Sequence, residues 1–247
     1  MHVIDDTNGP ASLIIAAGGL GTRLNSEIPK GLTKFKNSNF LSSVLTKTST
    51  IFHDIVVVCN ESNVVLFENF KRITHGDWKL CPQVGGAGSF YAVQSGLKLT
   101  EQNKVVICWV DQIGLDSKIF EKTKKNIIPK NVAFAFPVVR VSNPYVQAII
   151  QDGKLKKWKF KRENEPTEEG YTDCGVFGVD KTLLADFLKH CENLNEYKST
   201  ITQEVNFLSI LIDLQKNNKS TIWEETNRKY TIAVNTPEEL EQAEKIL

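Results

Sequence analysis

The chain has 247 residues, enough to bury a sizeable core as one large α/β domain or two small ones, and we expect a single domain. Its 30 basic and 29 acidic residues leave a net charge of +1. The composition therefore provides no global field that would draw the protein to nucleic acid or to an anionic membrane. Any site for an anion must be local.

The cysteines and the N-terminal segment indicate the compartment. The cysteines stand far apart, form no Cys-x-x-Cys pair and are odd in number, which argues against a full disulfide framework; they are Cys59, Cys81, Cys108, Cys174 and Cys191. The apolar run near the N-terminus is only about six residues long, too short for a signal peptide or a spanning helix. We therefore expect reduced thiols in a soluble, cytoplasmic protein without a membrane partner.

Short apolar runs alternate with helix-compatible segments over roughly the first 140 residues. The runs predict buried parallel strands at Ser12–Ala17, Asp54–Cys59, Lys104–Val110 and Val132–Val139. Apolar spacing predicts helices at Phe40–Phe52 and Ser89–Leu97, the second one capped by Ser89. This alternation is typical of a Rossmann-like doubly wound α/β sheet with helices on both faces, which binds ligands at the carboxyl ends of its strands.

The pattern changes after this point, so we expect a mixed sheet overall. Asp152-Gly153 lies between alternating apolar positions, which favours a hairpin with a type I′ turn, and we expect this hairpin to form a flap over the sheet. The segment TDCGVFGV, residues 172–179, predicts a further strand. The remaining pattern predicts helices at Lys181–Glu192, Thr202–Lys216 and, behind a Thr-Pro-Glu-Glu cap, Thr236–Leu247.

A glycine-rich turn follows the first predicted strand, in the segment LIIAAGGLGTRLNSEIPKGL. Gly18, Gly19 and Gly21 have no Cβ, so the backbone can approach a phosphate closely and turn its N–H groups toward it. The spacing does not fit a P-loop, and a dinucleotide fingerprint would need a third glycine where Leu24 stands. The turn indicates a phosphate site of another kind.

Two cations, Arg23 and Lys30, stand close behind the glycines and favour a triphosphate as the ligand. The string AAGGLGTRL followed by PK resembles the signature of the nucleotidyltransferases that make activated sugars and related nucleoside-diphosphate-linked compounds, including the N-acetylglucosamine-1-phosphate uridylyltransferase domain. The resemblance implies the glycosyltransferase-A-like nucleotidyltransferase fold, with Arg23 and Lys30 as catalytic residues on phosphates. It also implies nucleotide contacts by Ala16, Ala17, Gly18, Gly19, Gly21 and Thr22.

The resemblance extends to segments that would bind the base and a metal. PQVGGAGSFYAV is similar to the family's base-recognition segment, with Gln83 and Gly88 at its anchor positions and Ser89 in place of threonine. Asp111 ends a predicted strand where the family carries a metal-binding aspartate, and Asn235 stands where a second ligand precedes the last helix. The resemblance thus implies Mg²⁺ as cofactor, held by oxygen ligands.

The acceptor side departs from the family pattern. Tyr145, Lys161 and Asp173 match positions that bind the acceptor in sugar-1-phosphate uridylyltransferases, with aspartate in place of the usual asparagine. Val146 replaces a usual glycine, and Phe160 replaces a glutamate that binds sugar hydroxyls. Because unpaired hydroxyls discriminate strongly between substrates, these replacements favour a non-standard phosphorylated acceptor.

The sequence therefore predicts a Mg²⁺-dependent nucleotidyltransferase with a nucleotide-binding part at about residues 10–140 and an acceptor part at about 141–235. We expect a pyrimidine NTP as the nucleotide donor, with almost no preference between CTP and UTP. We expect a sugar 1-phosphate as the acceptor because that is the acceptor most frequent in the family. A phospho-alditol, a phosphocholine-like metabolite and a phospho-amino acid are alternatives, as is a non-catalytic sensor of nucleotides or nucleotide sugars. The resemblance also implies a role in making surface or capsule polysaccharide and, since oligomers are common in the family, a homo-oligomer.

Overall fold

The computed structural model describes residues 9–24, 26–165, 168–190, 193–215 and 220–247, which form a large mixed sheet between two layers of helices. The strands are β1 (Ser12–Ala16), β2 (Lys34–Phe35), β3 (Ser38–Asn39), β4 (Asp54–Asn60), β5 (Lys79–Gln83), β6 (Lys104–Trp109), β7 (Val132–Val141), β8 (Val146–Gln151), β9 (Lys154–Phe160), β10 (Gly170–Asp173), β11 (Val176–Asp180) and β12 (Ser220–Glu225). The helices are α1 (Phe40–Thr48), α2 (Val64–Thr74), α3 (Ser89–Leu97), α4 (Ser117–Ile127), α5 (Lys181–His190), α6 (Phe207–Leu211) and α7 (Pro237–Ile246).

The order of the large sheet is β5-β4-β1-β6-β11-β7-β10-β8-β9, with β12 alongside β7. β5, β4, β1 and β6 are parallel neighbours, whereas β11 is antiparallel to both β6 and β7. β2 and β3 form a separate short ribbon. This arrangement confirms the predicted α/β class with a mixed sheet.

Both faces of the sheet are buried, which explains why its central strands are apolar at nearly every position. In β1, Leu13 and Ile15 pack on the face covered by α1, α2, α4 and α7, while Ile14 packs on the face covered by α3, α5 and α6. All three side chains are fully buried. The helices therefore cover both faces, as predicted. Among the described helices, none is both long and apolar enough to span a membrane.

Several predicted elements are confirmed to within a few residues. The four predicted core strands all form, α1 ends four residues earlier than predicted, and α3 has the predicted bounds. Thr236 caps α7 by accepting a hydrogen bond from Glu239 N, and the Glu239 side chain in turn accepts one from Thr236 N, each at 3.2 Å. Asp152 and Gly153 have φ angles of 51° and 72°, and a type I′ turn requires positive φ at both positions.

Other predictions are wrong. The hairpin β8–β9 is not a flap over the sheet but continues it as the outer strands beyond β10. Residues 172–179 are divided between β10 and β11, because Gly175 has a φ of 68° that no continuous strand allows. Helix α5 ends at His190, and the predicted end at Glu192 lies outside the described residues.

The predicted helix Thr202–Lys216 is also wrong over most of its length. Only Phe207–Leu211 is α-helical, followed by a 3-10 turn at Asp213–Gln215, and Lys216 lies outside the described residues. Asn206 caps the short helix by accepting a hydrogen bond from Leu208 N, so the helix begins only there. Cys59, Cys81, Cys108 and Cys174 are free thiols, as expected, and Cys191 lies outside the described residues.

Candidate active site

A cavity of about 610 Å³ opens at the carboxyl ends of the parallel strands. Its wall includes Ala16 at the end of β1, Asn60 at the end of β4 and Gln83 at the end of β5. Asp111, two residues after β6, also lines it. Parallel strands present their ligands at this edge because the loops that leave them converge there.

The glycine-rich turn lines the cavity with unpaired backbone donors. Among the described residues, no group accepts a hydrogen bond from the N–H groups of Gly18 through Arg23. The turn is closed by Lys30 N, which donates to Gly19 O at 3.0 Å, and it lies so close to β5 that a Cβ on Gly18 would stand 2.9 Å from Gln83 Oε1. A row of free N–H groups on a tightly held turn is suited to bind phosphate oxygens.

Four predicted site residues meet beside this turn. Lys30 Nζ forms an ion pair with Asp111 and donates a hydrogen bond to Asn235 Oδ1 at 2.9 Å. Arg23 donates to the same Asn235 oxygen at 3.1 Å. The side chains of Lys30 and Asp111 are only 11% and 17% exposed, which strengthens their interaction relative to a surface pair. The structure therefore brings together residues from three distant parts of the chain.

This cluster fits a divalent cation that is shared between protein and phosphate. Asp111 and Asn235 direct oxygen atoms at one ammonium group, so their oxygens converge on a position where a cation is favoured. No group of three or more His, Cys, Asp or Glu within the described ranges could hold a metal without help. Mg²⁺ typically takes one or two protein oxygens and completes its shell with phosphates and water, which matches this donor set.

The residues predicted to bind the base form one wall of the cavity. Gln83 Nε2 donates to Gly86 O at 2.8 Å and to Gly88 O at 3.4 Å, which ties the loop between β5 and α3 to the end of β5. Gly88 has a φ of 107°, and a Cβ there would stand 2.7 Å from Val205 O. Ser89 does not cap α3 as predicted: its hydroxyl accepts a hydrogen bond from Phe207 N at 3.2 Å. These contacts join the loop to the segment before α6.

Two neighbouring nucleotide-binding candidates differ in position. Thr22 lines the cavity, whereas Ala17 does not. Ala17 is 1% exposed, its N–H donates to Val58 O at 2.7 Å, and its methyl group packs next to Gly31. Ala17 thus supports the turn from below.

Of the predicted acceptor residues, only Tyr145 lines the cavity, with 57% of its surface exposed. Lys161 contacts Tyr145 through the backbone, since Lys161 N donates a hydrogen bond to Tyr145 O at 3.0 Å. Asp173 lies outside the cavity wall, and burial raises its pKa to about 6 even though Gly175 N donates to its carboxylate at 2.7 Å. The structure gives Lys161 and Asp173 places beside the pocket rather than in it.

Other cavity residues have no role in the sequence prediction. Arg162 follows β9, and Glu204 and Asn206 precede α6; all three line the cavity. The basic run at the end of the hairpin is the only sequence signal for Arg162. Glu204 and Asn206 lie in the segment predicted as helix, so their position could be found only after the correct loop was known.

The family comparison agrees with this geometry. A model of the MobA-like NTP transferase domain matches residues 13–155, which is more than half of the chain. The chain belongs to this family. It is therefore a nucleotidyltransferase, and the matched region contains the glycine-rich turn, the loop between β5 and α3, and Asp111.

Two curated relatives match most of this chain in sequence. A bifunctional protein GlmU from Campylobacter jejuni subsp. doylei is 26% identical over 197 residues, covering 76% of this chain and 43% of that protein. GlmU from Gluconobacter oxydans is 24% identical over 251 residues, covering 98% of this chain and 53% of that protein. The chain therefore spans about half the length of these relatives.

Two crystal structures align over nearly the whole chain. A 4-diphosphocytidyl-2C-methyl-D-erythritol synthase from Anaerococcus prevotii has a TM-score of 0.68 and 16% identity, covering 96% of this chain and 98% of that chain. A protein from Bacillus anthracis assigned as a glucose-1-phosphate thymidylyltransferase has a TM-score of 0.74 and 17% identity, covering 96% and 94%. At this identity the likeness shows the fold of the chain.

Proposed function

We propose that this transferase moves a nucleotidyl group from a pyrimidine NTP, CTP or UTP, to the phosphate of a small acceptor and releases pyrophosphate with the help of Mg²⁺. The observation that carries the proposal is the convergence of Arg23, Lys30, Asp111 and Asn235 beside a row of free backbone N–H groups. A triphosphate is the ligand that needs this much positive charge and this many donors in one place.

The chain supplies positioning and charge rather than a covalent nucleophile. An oxygen of the acceptor phosphate attacks the α-phosphorus in line, a new P–O bond forms, and the bond to the bridging oxygen breaks as pyrophosphate leaves with the electron pair. The attacking phosphate is already ionised at pH 7, so no general base is required. Arg23 and Lys30 neutralise charge that develops on the α-phosphate and on pyrophosphate. Mg²⁺, held by Asp111 and Asn235, would neutralise phosphate charge further when bound.

The names of the two structural neighbours bear on the nucleotide and the acceptor. One is a synthase of 4-diphosphocytidyl-2C-methyl-D-erythritol, and the other is assigned as a glucose-1-phosphate thymidylyltransferase. These names support a pyrimidine nucleotide and a sugar 1-phosphate or phospho-alditol acceptor. The substitution of Phe160 at the usual hydroxyl-binding position favours an acceptor that differs from an ordinary amino sugar.

The direct test is pyrophosphate release by the purified chain with Mg²⁺ and each of the four NTPs in turn. The acceptor panel contains sugar 1-phosphates, phospho-alditols, phosphocholine and phosphorylated amino acids. Release with CTP or UTP and one acceptor class supports the proposal. Tight nucleotide binding in calorimetry without release from any pair would favour the sensor alternative, and the absence of nucleotide binding would contradict both.

A further inference from the structure

Arg162 is a cation in the cavity that the transfer chemistry does not use. It lies just beyond the end of β9, its guanidinium carbon stands 5.6 Å from the centre of the Phe160 ring, and its side chain is 26% exposed. Stacking on an aromatic face fixes the plane of a guanidinium but uses none of its N–H donors. Arg162 is therefore held in place by the ring, and no described residue accepts a hydrogen bond from its guanidinium group.

The adjacent carboxylate forms an ion pair with Arg162 but accepts no hydrogen bond from it. Glu163 Oε1 lies 3.6 Å from Nε, too far for a hydrogen bond, and within the described ranges the buried Nε has no hydrogen-bond partner. Glu163 is instead engaged by other donors: the Ser199 hydroxyl, and Thr200 through both its N–H at 2.9 Å and its hydroxyl at 2.6 Å. A part-buried arginine with unused donors in a substrate cavity indicates a ligand with a complementary anionic group.

Arg162 follows the strand that lies farthest in the sheet order from β6, which leads to Asp111. β9 is the last strand of the sheet order, and β11, β7, β10 and β8 lie between it and β6, which leads to Asp111. The surrounding wall offers Tyr145, Val146 and Phe160, whose side chains provide few partners for sugar hydroxyls. Glu204, the acidic residue nearby, stands against Gly88 and so belongs to the base side of the cavity.

We propose that Arg162 determines acceptor specificity by binding a second anionic group of the acceptor, either a carboxylate or a phosphate. This group lies at the end of the acceptor opposite the phosphate that receives the nucleotidyl group. This inference rests on the proposed function and names its acceptor class: a small phosphorylated metabolite with a further negative charge. The planar guanidinium group can donate two parallel hydrogen bonds to a carboxylate or to a phosphate. The Phe160 ring positions the guanidinium group, whereas a polar residue at position 160 would bind a sugar hydroxyl.

The test compares acceptors that differ only at the far end. Glucose 1-phosphate, glucuronate 1-phosphate and glucose 1,6-bisphosphate are assayed for pyrophosphate release, with the NTP that the wild-type chain binds most tightly. The variants are Arg162→Gln, Arg162→Lys and, as a matched control, Arg140→Gln, which removes an exposed arginine that pairs with Glu169 outside the cavity. Binding of the same acceptors is measured by calorimetry in the presence of a non-hydrolysable NTP analogue.

We expect the wild-type chain to prefer one or both of the acceptors that carry a second anionic group over glucose 1-phosphate by at least about tenfold in kcat/KM. Arg162→Gln should remove this preference through KM, Arg162→Lys should restore part of it, and Arg140→Gln should leave it intact. The acceptor that loses most identifies the group as carboxylate or phosphate.

Two results would overturn the inference. An equal loss for all three acceptors in Arg162→Gln would place Arg162 on the reacting phosphate, and no loss at all would make it a structural residue; in both cases nucleotidyl transfer itself stands. If no acceptor reacts, the calorimetric measurement decides. Stronger binding of the two compounds with a second anionic group, lost in Arg162→Gln, supports the inference, and the absence of such binding contradicts it. Failure of pyrophosphate release with every acceptor counts separately against the proposed function.

Discussion

The ammonium group of Lys30 pairs with the carboxylate of Asp111 at the same place where Asn235 contributes its amide oxygen. The cation that the chain itself supplies thus lies between the two oxygens proposed to hold Mg²⁺. Under the proposed mechanism, binding of Mg²⁺ and the triphosphate would separate this pair and move Lys30 onto phosphate oxygens. We therefore propose that Lys30 and the metal compete for Asp111 before the nucleotide binds.

This competition predicts opposite effects of Lys30→Gln on metal binding and on catalysis. Removing the ammonium frees Asp111, so Mn²⁺ binding to the nucleotide-free chain, measured by electron paramagnetic resonance, should tighten. Pyrophosphate release should fall by at least about 100-fold because one charge-stabilising group is lost. Lys34→Gln, a change on the exposed surface of β2, serves as control. Unchanged or weaker Mn²⁺ binding in Lys30→Gln would contradict the competition.

Arg23→Ala should remove most transfer activity and leave the fold intact. Arg23 is exposed and makes its described side-chain hydrogen bond only to Asn235, so its loss leaves no buried group unpaired. We expect a fall of about 100-fold or more in kcat, the magnitude typical of losing one group that stabilises developing charge. Arg72→Ala on α2, outside the cavity, should change the rate little. Near wild-type turnover in Arg23→Ala would exclude Arg23 from the catalytic role.

Gly88→Ala should weaken both the fold and nucleotide binding. The new Cβ would stand 2.7 Å from Val205 O, at a φ of 107° that side chains rarely adopt, so the loop after β5 must move. We expect a loss of about 1–3 kcal/mol in the free energy of unfolding and a higher KM for NTP. Gly153→Ala is the matched control: its φ is also positive, but a Cβ there meets nothing within 4 Å. It should cost stability with no change in KM, and equal KM effects would refute the assignment of this loop.

Glu163, just after β9, is linked by hydrogen bonds to the segment at residues 199–205, which contacts the loop between β5 and α3. It accepts hydrogen bonds from Ser199 and Thr200, and the same segment continues to Val205 against Gly88. Glu163→Ala should therefore destabilise the chain by about 1–2 kcal/mol and raise KM for both substrates. Glu169→Ala, which removes an exposed carboxylate that pairs with Arg140, should do neither. An effect on the acceptor KM alone would show that the acceptor and nucleotide sides of the cavity are not coupled through Glu163.

Asp173 predicts a dependence of stability on pH. Burial raises its pKa from 3.8 to about 6, so the folded chain binds its proton more tightly than the unfolded chain does. Stability should therefore fall as pH rises from about 4 to about 6, and the loss should be complete above that range. Asp173→Asn cannot ionise, so at pH 7.5 it should be more stable than wild type by roughly 3 kcal/mol in denaturant unfolding. Asp152→Asn in the exposed turn is the control, and equal stability of Asp173→Asn and wild type at pH 7.5 would contradict the prediction.

The parts of the fold that could be predicted are those buried on both faces. β1 and β4 are apolar at nearly every position because helices cover them on each side, and such runs are easily recognised. Helix α2 was not predicted; it buries only Phe67 and exposes Val65 and Ile73, so apolar residues also lie on its solvent-facing side. β5 contains Pro82 and lies at the edge of the sheet, where the sequence reads as a loop.

The candidate site also has one part that could be predicted from the sequence and one part that could not. The cluster of Arg23, Lys30, Asp111 and Asn235 could be predicted because each residue belongs to a motif at the end of a strand or the start of a helix. The acceptor end could not, because its wall depends on how the hairpin and the segment before α6 fold against the sheet. The break at Gly175 and the late start of α6 both change which side chains reach the cavity.

The most direct test of the account follows the phosphorus atoms of the substrate. The chain is incubated with Mg²⁺ and either α-³²P- or γ-³²P-labelled CTP and UTP, in the presence of the acceptor panel, and the products are separated by chromatography. The account predicts that the α label appears in a nucleoside-diphosphate-linked product while the γ label is released as pyrophosphate. Transfer of the γ label to the acceptor, or recovery of both labels only in unreacted nucleotide, would contradict it.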